Sequence, residues 1–103
     1  MFITFEKEYL KRMYETGKCD KKYPFQRDIV KRYIKRIDTL MEVKEIEDLY
    51  TLHSLNYKVL SGDKAGISSI RVNNQYRIEF TVNKAKDTVV TICNIIELSN
   101  HYK

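Results

Sequence analysis

Residues 68–80 read SSIRVNNQYRIEF, and how this stretch folds decides the architecture of the chain. Ile70 and Val72 alternate with Ser69 and Arg71; after the asparagines, Tyr76, Ile78 and Phe80 alternate with Arg77 and Glu79. Period-two alternation on both sides of a polar break predicts a β-hairpin. A loop of Asn73, Asn74 and Gln75 sets Val72 against Tyr76, Ile70 against Ile78 and Ser68 against Phe80, which gathers the apolar residues on one face. A tighter Asn73-Asn74 turn splits them between the faces, so burial favours the longer loop. The same register places Arg71 directly opposite Arg77, and like charges in that position are destabilising. Two readings answer the cost. Either Glu79 and solvent screen the pair, or an anion lies between the two guanidiniums.

Outward from the hairpin, the N-terminal side is helical. MFITF (1–5) reads as a short strand, and Tyr9, Leu10, Met13 and Tyr14 fall at helical spacing before Gly17, a natural stop. Residues 26–42 give the clearest helix, with Ile29, Val30, Tyr33, Ile34, Ile37, Leu40 and Met41 forming one apolar stripe. Its other face carries Lys31, Arg32, Lys35 and Arg36. That face is either solvated, with Asp28 and Arg32 as an i,i+4 pair, or a docking surface for nucleic acid or a ribosome. Residues 45–50 suit one more helical turn, and SGDKAG (61–66) is turn-forming. On the C-terminal side NKAKD (83–87) predicts a second turn, and TVVTICNIIEL (88–98) a strand apolar on both faces, hence central and covered on both sides. The order predicts an α+β fold, with an N-terminal strand and two helices packed on one face of a twisted, mainly antiparallel β-sheet.

The chain has 103 residues, 43% hydrophobic and 32% charged, which predicts one folded domain over residues 1–103 rather than a disordered segment. No signal peptide and no bilayer-length apolar run is apparent. Cys19 and Cys93 lack metal-type spacing and read as reduced thiols of a cytoplasmic protein, Cys93 as a small buried hydrophobe. The net charge of +5 and pI near 9.2 favour a polyanionic partner such as RNA, DNA or a ribosome. Residues 50–103, with seven basic and four acidic side chains, are more one-sidedly basic than residues 1–49, with twelve and ten. No metal-ligand cluster, P-loop, glycine-rich dinucleotide turn or nucleophile elbow is present, so no cofactor is expected.

The stretch LHSL (52–55), the SGDKAG turn, the arginine-bearing hairpin and the His-Tyr tail together resemble the HigB-type toxins of the RelE/ParE superfamily. The resemblance is specific over the C-terminal half; elsewhere it rests on the order and length of elements. It implies a RelE-like domain and a cytoplasmic type II toxin that cleaves messenger RNA on the translating ribosome. It also implies a cognate HigA-like helix-turn-helix antitoxin. The ParE branch of the superfamily keeps the fold but poisons DNA gyrase, and a degenerate toxin would only bind its antitoxin. Fold alone therefore does not decide the activity.

Metal-free RNA cleavage needs a base for the 2′-hydroxyl, a cation for the pentavalent phosphate and an acid for the leaving 5′-oxygen. By the resemblance, Arg77 is the arginine beside the scissile phosphate, where its fork suits the growing charge, and Arg71 is the second clamp. His53, in the Leu-His-x-Leu stretch, and His101, in the tail, are the candidate base and acid, with Tyr102 assisting. Each has a plainer reading: His53 as a half-buried loop residue, His101 as part of a frayed terminus. Family members often end in Asp-Tyr-His, whereas this chain ends Asn100-His101-Tyr102-Lys103, so the division of labour in the tail stays open. Lys58 and Lys64 are the candidate further phosphate contacts, or else ordinary surface lysines.

Overall fold

A computed structural model describes residues 1–84 and 90–100. The regular elements are β1 (Phe2–Phe5), α1 (Glu8–Thr16), α2 (Arg27–Glu42), β2 (Lys58–Val59), β3 (Ser68–Arg71), β4 (Tyr76–Lys84) and β5 (Thr91–Asn100), with short 3-10 helices at Ile46–Thr51, His53–Leu55 and Gly62–Lys64. The five strands form one sheet in the order β1-β5-β4-β3-β2. Only β1 runs parallel to its neighbour, β5; the other pairings are antiparallel. This is the expected α+β architecture.

The hairpin register is the one the alternation predicts. Ser68 pairs with Phe80, Ile70 with Ile78 and Arg71 with Arg77, and the Val72 amide closes the loop on the Tyr76 carbonyl at 2.9 Å. Ile70, Val72, Ile78 and Phe80 are all buried, and they share one core with Leu10 and Met13 of α1 and Ile29, Val30, Tyr33, Ile37 and Leu40 of α2. The Asn73 side chain stabilises the turn by accepting the amides of Gln75 and Tyr76 at 2.9 and 2.7 Å, an asparagine-backbone turn.

The helix ends follow local chemistry. Gly17 stops α1 in the left-handed region (φ 73°), its amide bonded to the Met13 carbonyl at 2.9 Å. No glycine and no basic residue of its own ends α2. The Met1 ammonium fills that role, donating to the carbonyls of Leu40 at 3.2 Å, Met41 at 3.0 Å and Val43, at the negative end of the helix. Two members of the predicted α2 stripe lie at its margin: Ile34 is half-buried against the core and Met41 is exposed.

The central position of β5 is as expected, but its predicted burial on both faces is not found. Cys93, Ile95 and Leu98 are buried, while Ile92, Asn94 and Ile96 are only half-buried. Glu79 pairs with Glu97 and Phe80 with Ile95, so Ile96 is an extra residue, a bulge that resets the alternation and returns Leu98 to the core face. The predicted turn at residues 83–87 falls mostly outside the described residues, and Asn83 and Lys84 still belong to β4.

Candidate functional site

Alternation puts the polar partners of the hairpin on the sheet face opposite the helices. Two cross-strand rows lie there: Lys58, Ser69, Glu79 and Glu97 in one, and Arg71, Arg77 and Ser99 in the other. The register thus brings the predicted Lys58 onto the same face as Arg77, beside Ser69.

Arg77 is almost fully buried, 9% exposed, and its guanidinium is held from one side. Its Nε donates to Ser69 Oγ at 2.5 Å, and its Nη2 donates to the carbonyls of Asn56 at 2.6 Å and Ser69 at 3.3 Å. Nη1 has no partner among the described residues. The Asn56 carbonyl reaches Arg77 because Asn56 ends the 3-10 helix at His53–Leu55 in the left-handed conformation (φ 44°, ψ 54°), which asparagine tolerates better than most residues. Neither Asn56 nor Ser69 was predicted as a site residue. Ser69 was legible in the register; Asn56 was not.

Arg71, although paired with Arg77 along the backbone, turns elsewhere. Its Nε donates to the Asn73 carbonyl at 3.2 Å and its Nη2 to the Asn74 side chain. It faces a hollow of about 360 Å³ that it shares with Asp28 and Arg32 of α2. The two guanidiniums thus take different acceptors, which relieves part of their repulsion. What remains is still felt: burial first, then Arg71, lowers the Arg77 pKa, with Glu79 opposing.

Glu79 does not screen the arginines by pairing with them. It is 7% exposed at its side chain and bound to Lys64, whose Nζ lies 2.9 and 3.1 Å from the two carboxylate oxygens. That bond raises the Lys64 pKa. Lys64 therefore meets a carboxylate in this structure, and it is the one side-chain ion pair among the described residues. No carboxylate of the described residues lies within ion-pair distance of Arg71 or Arg77, and the acceptors among the described residues that hold the two arginines are all neutral.

His53 is exposed and lines a hollow of about 280 Å³ with Tyr50, Leu52, Asn56 and Tyr57. Asn56 is the link: its amide bonds the His53 carbonyl at 3.1 Å, and its own carbonyl bonds Arg77. His101 and Tyr102 lie outside the described residues. No group of three or more His, Cys, Asp or Glu suited to a metal occurs among the described residues. Also among them, no helix is long and apolar enough to cross a membrane.

A family model described as the RelE-like toxin of type II toxin–antitoxin system HigB matches residues 3–93. The match stops short of His101 and Tyr102. Among solved structures, the chain is similar to a YoeB/ParE toxin from Agrobacterium tumefaciens, with a TM-score of 0.58 and 16% identity, over 99% of this chain and 100% of that one. At that identity the likeness shows the fold alone. No curated protein matches the chain.

Proposed function

This chain belongs to the HigB-like family of RelE-like toxins of type II toxin–antitoxin systems, and from that premise we propose that it is a ribosome-dependent endoribonuclease that cuts messenger RNA during translation. An antitoxin partner follows from the family; we take it to be HigA-like, with a helix-turn-helix domain, and the complex to be cytoplasmic. The observation that carries the reading is a nearly buried guanidinium, Arg77, whose acceptors among the described residues are all neutral, with a second arginine opposite and the nearby carboxylate Glu79 occupied by Lys64. Such a site holds positive charge without cancelling it, which suits a phosphate whose negative charge grows in the transition state.

In this reading a base takes the 2′-hydroxyl proton and the 2′-oxygen bonds to phosphorus. The bond from phosphorus to the 5′-oxygen breaks, an acid protonates that oxygen, and a 2′,3′-cyclic phosphate and a 5′-hydroxyl result. Arg77 stabilises the pentavalent phosphate. Arg71 holds a neighbouring phosphate, and Lys58 supplies a further charge on the same face. His53 and His101 supply proton transfer or orientation, with Tyr102 assisting. The ribosome contributes by forcing the messenger into an in-line geometry.

The test is a defined messenger incubated with the purified toxin, with and without translating ribosomes, and its new 5′ ends mapped. Cuts are expected only with ribosomes. They should vanish in Arg77→Ala and fall sharply in Arg77→Lys, which keeps the charge but loses the fork. Both variants should still bind antitoxin, and their melting curves separate lost chemistry from lost folding. Intact messenger in both tubes, from protein that still arrests growth, would point instead to a gyrase inhibitor of the same fold.

A further inference from the structure

The hollow of about 280 Å³ beside His53 has walls that proton transfer does not require. Tyr50 and Leu52 are 59% and 38% exposed, and both open on this one small space. A lone exposed apolar side chain is ordinary, whereas two that share a concave site mark a place for a ligand. Among the described residues no lysine, arginine or carboxylate lines the hollow. Phosphate is therefore the wrong ligand for it, and a flat, uncharged ring is the right one. The volume lies at the small end of ligand pockets, which run from about 300 to 1,000 Å³, and suits a single ring system.

The hollow is built from the core outward. Leu49 and Leu55 are buried and pin the 3-10 helices at Ile46–Thr51 and His53–Leu55 to the core. The Leu52 amide between them donates to the Leu49 carbonyl at 3.2 Å, and the Leu55 amide to the Leu52 carbonyl at 2.9 Å. Tyr57 fixes one wall. Its hydroxyl shares a hydrogen bond of 2.9 Å with the Ser68 hydroxyl, and its ring lies within 29° of parallel to Tyr14 in no contact that matters here but at 27° to Phe80, centroids 6.4 Å apart. Tyr50 meets Tyr57 edge to face, with centroids 4.9 Å apart and planes at 80°, so its ring is propped while much of it meets solvent. A ring already propped loses little freedom when a ligand stacks on it. Asn56 ties the hollow to the candidate site, since it lines the hollow and its carbonyl holds Arg77 Nη2 at 2.6 Å. A nucleotide whose phosphate meets Arg77 therefore has a base within reach of Tyr50.

We propose that Tyr50, Leu52 and Tyr57 form a stacking site for one unpaired nucleobase next to the phosphate at Arg77. The proposal deepens the RNA-cleaving reading above and rests on it, but it is measured without cleavage. Every base has a π-face, so the site grips any of them and adds affinity without adding charge. The probe is a fluorescein-labelled, fully 2′-O-methylated heptanucleotide, which has no free 2′-hydroxyl to attack, titrated by anisotropy at low salt. Its control is a chain of the same phosphate count made of abasic tetrahydrofuran units. Wild type should favour the base-bearing probe. Tyr50→Ala should weaken that probe alone by about fivefold to a hundredfold, the usual worth of one stacked base, and bind the abasic chain as wild type does. Tyr50→Phe keeps the ring and should match wild type. The slope of log affinity against log salt should be the same in all three proteins, because no phosphate contact is lost. A wild type indifferent to the bases, or a Tyr50→Ala protein that matches wild type on both probes or loses both equally, would overturn the proposal. So would unchanged RNA binding with weakened antitoxin binding, which would give the hollow to a protein chain. If Tyr50→Ala shows the base-dependent loss but wild type cuts no translated messenger, the stacking site stands and the nuclease reading falls. If wild type cuts but the base-dependent loss is missing, the nuclease reading stands and the stacking site falls.

Discussion

Ser69→Ala tests whether Arg77 is positioned or merely present. The Ser69 hydroxyl accepts from Arg77 Nε at 2.5 Å, with Ser69 1% and Arg77 9% exposed. A hydrogen bond to a charged group contributes about 1.5–3 kcal/mol, and leaving a buried donor unmet costs a similar amount. Deleting one oxygen opens less room than a water needs, about 10–15 Å³ of probe volume, so no solvent replaces the hydroxyl. We expect a loss of about 2 kcal/mol by urea denaturation with unchanged m-value, and a fall in Tm of about 10 °C for a domain of this size. The decisive control is a double-mutant cycle. In an Arg77→Met background the donor is gone, and Ser69→Ala should then cost under about 0.5 kcal/mol, giving a coupling above about 1 kcal/mol. Messenger cleavage by Ser69→Ala should fall by about tenfold to a hundredfold, since a misplaced catalytic group is that costly. An equal cost of Ser69→Ala in both backgrounds would refute the argument, because the serine would then act on stability through something other than Arg77.

Other expectations come from single features. Asn56 is left-handed, so Asn56→Gly should be nearly neutral for stability. Asn56→Val should cost about 1–2 kcal/mol and also displace the carbonyl that holds Arg77, lowering cleavage beyond what its melting curve explains. Cys93 is fully buried, which raises its thiol pKa from 9.0 to about 11, whereas Cys19 is half-buried. A thiol reagent at neutral pH should therefore modify Cys19 well before Cys93, and both at similar rates in denaturant. The raised value means the folded state holds its proton longer than the unfolded one. The Cys93 contribution is thus full below about pH 9 and falls as pH rises toward about 11, which denaturation midpoints across that window would register. Tyr33 donates from the core to the Leu10 carbonyl at 2.9 Å, so Tyr33→Phe should lose about 1 kcal/mol without loosening the packing.

Much of this was legible because two periodicities carry it. The hairpin register followed from alternation plus the requirement that Ile70, Val72, Ile78 and Phe80 share a face, and the facing arginines came with it. The α2 core residues followed from helical spacing, yet Met41 and Ile34 lie at the margin of the stripe, where spacing does not separate buried from exposed. The bulge at Ile96 was invisible because a run of apolar residues looks alike in either register. The Asn56 contact was invisible for a different reason. It joins residues 21 apart through a backbone carbonyl, and any residue type supplies one, so its only trace is an asparagine suited to a left-handed turn. Periodicity places a side chain on a face; it does not say which acceptor a long side chain will find there.

Lys64 shows what that distinction costs. The sequence offers it as a phosphate contact, while the structure pairs it with Glu79, two residues from Arg77 on the same face of β4. Glu79 is a carboxylate on the face of Arg77, and Lys64 keeps it engaged. Lys64→Met should therefore weaken RNA binding and lower the salt slope by about 0.9, one contact, even if Lys64 never touches RNA. Direct contact predicts the same loss, so the single variant does not decide. Lys64→Met/Glu79→Gln does. If Lys64 acts by holding Glu79 away from Arg77, removing the carboxylate charge restores binding and slope. If Lys64 itself binds phosphate, the double variant stays as weak as the single one, and the account of Arg77 as a cation kept unneutralised by its neighbours fails.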